Sequence, residues 1–433
     1  MKRPYHSGWM QLTVVATLTW GASAAAQPLA PEPPPPLDPW YEALDFGLFA
    51  DAYASVNTNF PKPQENANRF RAYDSHNGMS LSWVGADVSY DPSPVGGTIS
   101  LRLGPTAEAY SDSCLSASTR CDSDVPGLAY VKQAFASWRP GGPDGSVVFD
   151  FGKFDTIYGA EVAESQLNLN YTRGALYWLG QPLFHTGLRA TVDLWPEVAV
   201  TALAVNGWNN TIDNNLGKTF GLQLGLRPAA DFSAYLGWLA GPEQDDFIRC
   251  PTGAQYDPDT DTCVAGSDPG APGDVVDQGG ADAFESWRHL GDLVVLCTPL
   301  EQLRLALNAS FGMEGVRQLQ DDGRVGVQRG IYYGAMLGAR YALDATYALA
   351  ARGEYFRDRD GMQTGVAGLE LATATLTLEA APNDFLLLRL EGRGDFVLDT
   401  EEGDAGNDLY QKGVRDQTAR LITTTLGVVV ATN

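Results

Sequence analysis

Basic side chains are scarce in this chain: 29 Lys and Arg stand against 53 Asp and Glu, a net charge of −24 at pH 7. No basic stripe is left to meet phosphates, which excludes nucleic acid as a partner. Long apolar runs are missing too. The longest, Trp9 to Ala22, is short and interrupted, and no stretch reaches the roughly 18 consecutive apolar residues of a membrane-spanning helix. Histidine is down to four residues, of which His76, His185 and His289 lie beyond the N-terminal segment. A lipase-type barrel needs a Ser–His pair and a protease-type barrel an Asp–His pair at its rim. With no GxSxG nucleophile motif either, no catalytic residue is expected. Cysteine is limited to five residues, never in CxxC spacing, which argues against a thiolate metal centre. Cys114 with Cys121 and Cys250 with Cys263 are spaced instead as two loop-closing disulfides of an exported chain, with Cys297 left alone.

What is present begins with an export signal over residues 1–26: Lys2 and Arg3, a short apolar stretch, then Ala24-Ala25-Ala26 as a small-residue cleavage site. Residues 27–43 follow with "QPLAPEPPPPLDPW", where prolines enforce an extended backbone and prevent a core, a spacer expected on the periplasmic side. From 44 to 433 almost nothing keeps a helical period. Runs of about ten residues alternate in character instead, as in "LLLRLEGRGDF" at 386–396, where Arg389, Glu391, Arg393 and Asp395 interleave with Leu388, Leu390, Gly392 and Gly394. The embedded Arg393-Gly394-Asp395 lies within a strand and reads as chance rather than as a receptor ligand.

Sixteen such runs are expected, at 44–56, 77–90, 96–110, 128–139, 146–154, 183–193, 197–207, 217–227, 231–240, 285–297, 301–313, 329–342, 346–357, 364–380, 384–397 and 417–431. In 364–380 the leucines change phase between Leu369 and Leu376, for which a bulge is the expected cause. Between the strands short turns such as "WPE", "TPLE" and "APND" alternate strictly with long polar loops. A soluble sandwich has no reason to put every long loop at one end, whereas a transmembrane barrel has short periplasmic turns and long outward loops. Trp138, Trp195, Trp238 and Trp287 near strand ends suit interfacial aromatic girdles. The expected fold is therefore all-β: a transmembrane antiparallel up-and-down barrel of about 16 strands, outward loops extracellular and N-terminus periplasmic.

The stretches "FADAYASVNTNF", "NRFRAYDSHNGMSLSWVGADVSY", "DFGKFDTIYGAE", "QPLFHTGLRATV" and "VNGWNNTIDNN" resemble the β-barrel porin family of OmpL-like outer-membrane proteins, over about residues 46–240. The resemblance implies an outer-membrane barrel that passes small hydrophilic solutes, and it supplies no catalytic residues.

Strand phase places Arg102, Arg189, Arg304, Arg340, Arg352, Arg389 and Arg393 on the lumen wall with Asp193, Glu354, Glu391 and Asp395, an arginine surplus. The long loop 155–182 is expected to fold inward and narrow the channel, its Asp155, Glu161 and Glu164, with Arg173, facing wall arginines across the opening as a transverse field. Asp257, Asp259 and Asp261 share the i, i+2, i+4 spacing of a calcium loop, although Thr262 replaces the glycine that an EF-hand needs next. Lipid of the outer membrane, the barrel-assembly machinery, small hydrophilic solutes and a second copy of the chain are the expected partners. A barrel with a closed lumen is the alternative function, and full pairing of the lumen charges would favour it.

Overall fold

The computed structural model describes residues 40–432 apart from 63–67, 75–76, 114–121, 246, 251, 258, 261, 272, 278–285, 320–324 and 404–405. The chain divides into residues 1–42 and 43–433. The second unit is a closed antiparallel barrel of 16 strands. These are Asp45–Asn57, Gly78–Tyr90, Val95–Leu103, Val131–Trp138, Val147–Asp155, Phe184–Trp195, Val198–Val205, Thr219–Ala229, Phe232–Gly241, Arg288–Leu300, Leu303–Leu319, Val325–Ala342, Tyr347–Asp360, Ala367–Asn383, Leu386–Asp399 and Arg420–Ala431. Each strand pairs with its sequence neighbour in the barrel, and the last closes on the first from Phe49↔Ala431 to Asn57↔Thr423. No edge is left unpaired, as an apolar solvent outside the wall requires. No helix among the described residues is long and apolar enough to cross a membrane.

The period-two pattern sorts side chains by solvent. Along Leu386–Asp399, Arg389, Glu391, Arg393 and Asp395 are buried inside, while Leu390 is 49 % exposed on the outside. In Ala367–Asn383 the expected change of phase does not occur. Leu369, Leu371, Thr373, Thr375, Thr377 and Glu379 all face inward and are buried, so no bulge interrupts the face. Leu369 and Leu371 point into the barrel because its upper part is apolar, packed with Phe154, Leu176, Trp208, Tyr332 and Phe356. The shift in register lies instead against the next strand, between Glu370 and Leu371.

A second correction concerns 96–110. Its strand ends at Leu103, and Pro105–Ser111 is helical. Gly104 takes φ 126°, which a residue with a Cβ adopts only under strain, and Pro105 then pre-sets the first helical φ. The helix buries Ala107 and Tyr110 beside Phe184 and Leu183. Loop 241–284 also carries two small sheets, Phe247–Arg249 with Val275–Asp277 and Ala254–Asp257 with Thr262–Ala265.

Candidate functional site

Between the strands Val147–Asp155 and Phe184–Trp195 the chain turns into the barrel and crosses it as a strap, with one 3-10 turn at Ser165–Leu167 and a short helix at Ala175–Gly180. Small residues let it approach the wall. A Cβ on Gly174 would fall 2.1 Å from Glu354 Oε1, and one on Gly427 of the wall 2.2 Å from the Tyr171 ring. A larger residue at either position would have to displace the Glu354 carboxylate or the Tyr171 ring, both of which hold the strap.

The strap is tied to both sides of the barrel. On one side Glu164 accepts from Arg102 at 2.7 Å and from Lys132 at 3.0 Å. There Asp51 accepts from Ser165 Oγ at 2.6 Å and from the Tyr171 hydroxyl at 2.7 Å. Across the closure of the barrel, on strands two to four places from that of Asp51, Arg352 donates to Glu161 at 2.7 Å, and Glu391 accepts from the Tyr171 N–H at 2.8 Å. Arg389 donates to the carbonyls of Asn168 at 2.8 Å and Asn170 at 2.9 Å, and Arg393 to that of Arg173 at 2.7 Å. The Leu176 N–H meets Glu354, on the strand of Arg352, at 3.1 Å, and across the barrel from Arg102 and Lys132 the Gly159 N–H meets Asp292 at 2.9 Å. A loop cannot bury its backbone without partners for its N–H and C=O groups, and here charged wall groups supply them.

Burial alone would raise the Glu164 carboxyl, but Lys132 and Arg102 outweigh it and hold the group down to about 2. Glu161 goes the other way: burial raises it, and Arg352 offsets only part of that. Removing one partner of a buried ion pair costs about 3–5 kcal/mol, because the other charge stays behind unpaired. Such pairs fix the strap's position more surely than they add net stability.

The expected residues fall as follows. Glu161, Glu164, Arg102, Arg352, Arg389, Arg393, Glu354, Glu391 and Asp395 are all buried inside the barrel in this network. Asp155 pairs with Lys132 and accepts from the Tyr110 hydroxyl at 3.0 Å. Arg173 lies in the strap with its guanidinium 4.6 Å over the Tyr73 ring. Arg189 pairs with Asp150 at 2.8 Å, Arg340 pairs with Glu379, and Asp193 is exposed near the short-turn end. Two expectations change. Glu161 and Glu164 meet wall cations in contact instead of facing them across an opening. The wall also carries more of both signs than the expected set, because Asp51, Asp150, Asp292, Glu314, Asp358 and Glu379 are buried on the inward face, as are Lys132, Lys153 and Arg288. The row Asp51, Tyr53, Ser55, Asn57 was readable from its period; Asp292 was hidden between inward-facing Leu290 and Val294.

Cys250 and Cys263 are bonded with a Cα separation of 5.7 Å, and Cys297 is free. Cys114 and Cys121 lie outside the described residues, as does Asp261. Asp257 closes its own turn by accepting from the Asp259 N–H and the Thr260 hydroxyl, both at 3.0 Å. Among the described residues no three His, Cys, Asp or Glu converge as metal ligands. His185 is fully buried, its ring nitrogens against Gly207 O at 3.0 Å and Thr156 Oγ1 at 3.2 Å. Sequence reading missed Glu243, just past the end of its strand. Burial pushes its carboxyl up to about 7 against the pull of Arg288, while it accepts from Thr219 Oγ1 at 2.6 Å and the Trp208 N–H at 2.7 Å.

The family model described as "Putative beta-barrel porin-2, OmpL-like" matches residues 43–431. Among solved structures, OprB of Pseudomonas putida at high pH is similar with a TM-score of 0.51 and 12 % identity, covering 90 % of this chain and 94 % of its own. Outer-membrane expressed OmpT of Vibrio cholerae gives 0.50 and 11 %, covering 90 % and 97 %. At such identities the likeness is one of fold. Among curated proteins no relative is found.

Proposed function

The chain belongs to the OmpL-like β-barrel porin family of the outer membrane, and from that premise we propose that it passes small hydrophilic solutes or ions passively through a charged lumen narrowed by the strap 155–182. The observation that carries this reading is the strap itself, held inside the barrel by Glu161, Glu164 and the carbonyls around Arg389. In this reading the docked strap and the charged wall line a polar path, along which ions exchange water for fixed dipoles and charges. In this reading the short turns and the N-terminal spacer, 27–43, face the periplasm after removal of residues 1–26, and the long loops face outward. Lipid covers the leucine face, barrel-assembly machinery inserts the chain, and copies associate side by side. The barrel acts as a channel and not as an enzyme.

The density of pairing favours a second reading, a barrel that is closed and serves as a structural or adhesive wall. Arg71, for example, pairs with both Asp74 at 2.8 Å and Asp395 at 2.6 Å, leaving less free charge to guide ions. Reconstitution of the refolded chain into planar bilayers separates the two. Stepwise currents from heat-modifiable protein support the porin reading, and folded protein that inserts without steps overturns it in favour of the closed barrel.

A further inference from the structure

At the short-turn mouth the wall carries positive charge that the chain leaves unanswered. Arg304 and Arg340 are direct cross-strand partners, on the same inward face as Ala306 and Gly338. Like charges facing one another across a ladder are destabilising unless an anion is shared between them. One carboxylate serves the area: Glu379 pairs with Arg340 and, at 2.8 Å, with Arg389. Arg389 gives its other donors to strap carbonyls. Three guanidiniums thus share one carboxylate. Among the described residues Arg304 has no carboxylate within ion-pair distance. Other inward charges of that rim include Arg227 and Asp193, on strands three and five places around the wall from Arg304, and Asp45 and Asp87, six and seven places away.

The strap brings apolar groups to the same stretch of wall. Gly338, two residues before Arg340 on its face, is covered by the strap, and a Cβ there would come 2.9 Å from Leu169 Cδ1. Close by in the strap, Leu167 is 69 % exposed and Val162 40 % exposed. Exposed strap leucine and valine together with a wall guanidinium that has no carboxylate partner offer a charged half and an oily half.

We propose that this chamber binds an organic monocarboxylate with an apolar body, its carboxylate shared by Arg304 and Arg340 and its body laid on Leu167 and Val162. Planar, paired donors suit a carboxylate better than a bare halide. The proposal rests on the porin reading and narrows it by naming a solute class.

The test uses the full refolded chain and two separate readouts, with benzoate and acetate as probes. Calorimetric titration in detergent reports the site, and chloride conductance in planar bilayers reports the pore. Benzoate should bind saturably and more tightly than acetate. Arg304→Gln should weaken benzoate about tenfold or more, as expected for loss of a charge-assisted bond. Leu167→Ser, at an exposed position that folding does not need, should remove the preference for benzoate over acetate. Arg227→Gln should change neither. If the pore conducts but benzoate binding is absent, or survives Arg304→Gln and Leu167→Ser unchanged, the proposal is overturned and the porin reading stands. If the site binds as described while no current flows, the porin reading fails and the site remains.

Discussion

Replacing Glu164 with Gln should release the strap while leaving the barrel closed. Glu164 is buried and answers two cations, Arg102 and Lys132, at 2.7 and 3.0 Å. Its carboxyl stands at about 2 against an ordinary 4.5, which at 1.36 kcal/mol per pKa unit corresponds to about 3 kcal/mol of docking energy. Gln keeps the shape and can still accept one bond, but it removes the charge. Arg102 then keeps Asp87 at 3.0 Å and Lys132 keeps Asp155, so the cations are not wholly stranded. An upper figure of about 3 kcal/mol is therefore reasonable, which would raise the undocked population of the strap by about a hundredfold. The sign with pH follows from a depressed carboxyl: the contribution is complete above about 4.5 and is lost as pH falls toward about 2. Hydrogen exchange of peptides from 156–183, corrected for intrinsic rates, should show fast exchange in Glu164→Gln at pH 7 and a loss of protection in the wild type only well below pH 4.5. Wall peptides should stay protected in both. Equal strap protection in variant and wild type would refute the claim that this ion pair docks the strap.

Putting a charge on the lipid face should act differently: Leu390→Arg, at a position 49 % exposed on the outer wall, should cost about 2–4 kcal/mol near the midplane and lower the yield of heat-modifiable barrel without loosening surviving straps. Glu243, buried and raised to about 7, favours folding while protonated, so its contribution is complete below about 4.5 and lost as pH rises through about 7. Exchange protection of the segment around Trp208 should therefore fall between pH 5 and 8 and become flat in Glu243→Gln; a fall that persists in the variant assigns it to another group. Non-reducing peptide mapping should find Cys250 joined to Cys263, and Cys250→Ser should raise protease cleavage within 241–284 while gel migration of the folded barrel stays unchanged.

The strand count and the alternation of short and long connections were legible because both depend on local chemistry: period two for a wall between unlike solvents, and turn-formers at one end. Failures of the local pattern came where the inside of the barrel stops being wet. Leu369 and Leu371 looked like a change of phase because an inward leucine contradicts a watery lumen, yet they cover the strap's helix region beside Leu176 and Phe356. Residues 104–111 looked like more strand until Gly104 and Pro105 are weighed as a helix start. Within the site, the strap and its acids could be named, but not their partners. Arg352 reaches Glu161 across 191 residues of sequence, and Lys132, Asp51 and Asp292 joined the network only once the wall was closed. Ion pairing at that range depends on barrel register, which no single strand encodes.

The central claim, a pore crossed by a docked strap, is tested most directly by comparing single-channel conductance of the wild type with that of a variant whose strap residues 161–173 are replaced by a short glycine–serine link. The account predicts small, stable steps for the wild type and clearly larger steps for the variant, with the same heat-modifiable barrel in both. Equal steps would contradict a strap that narrows the path, and silence from both folded proteins would contradict the pore itself.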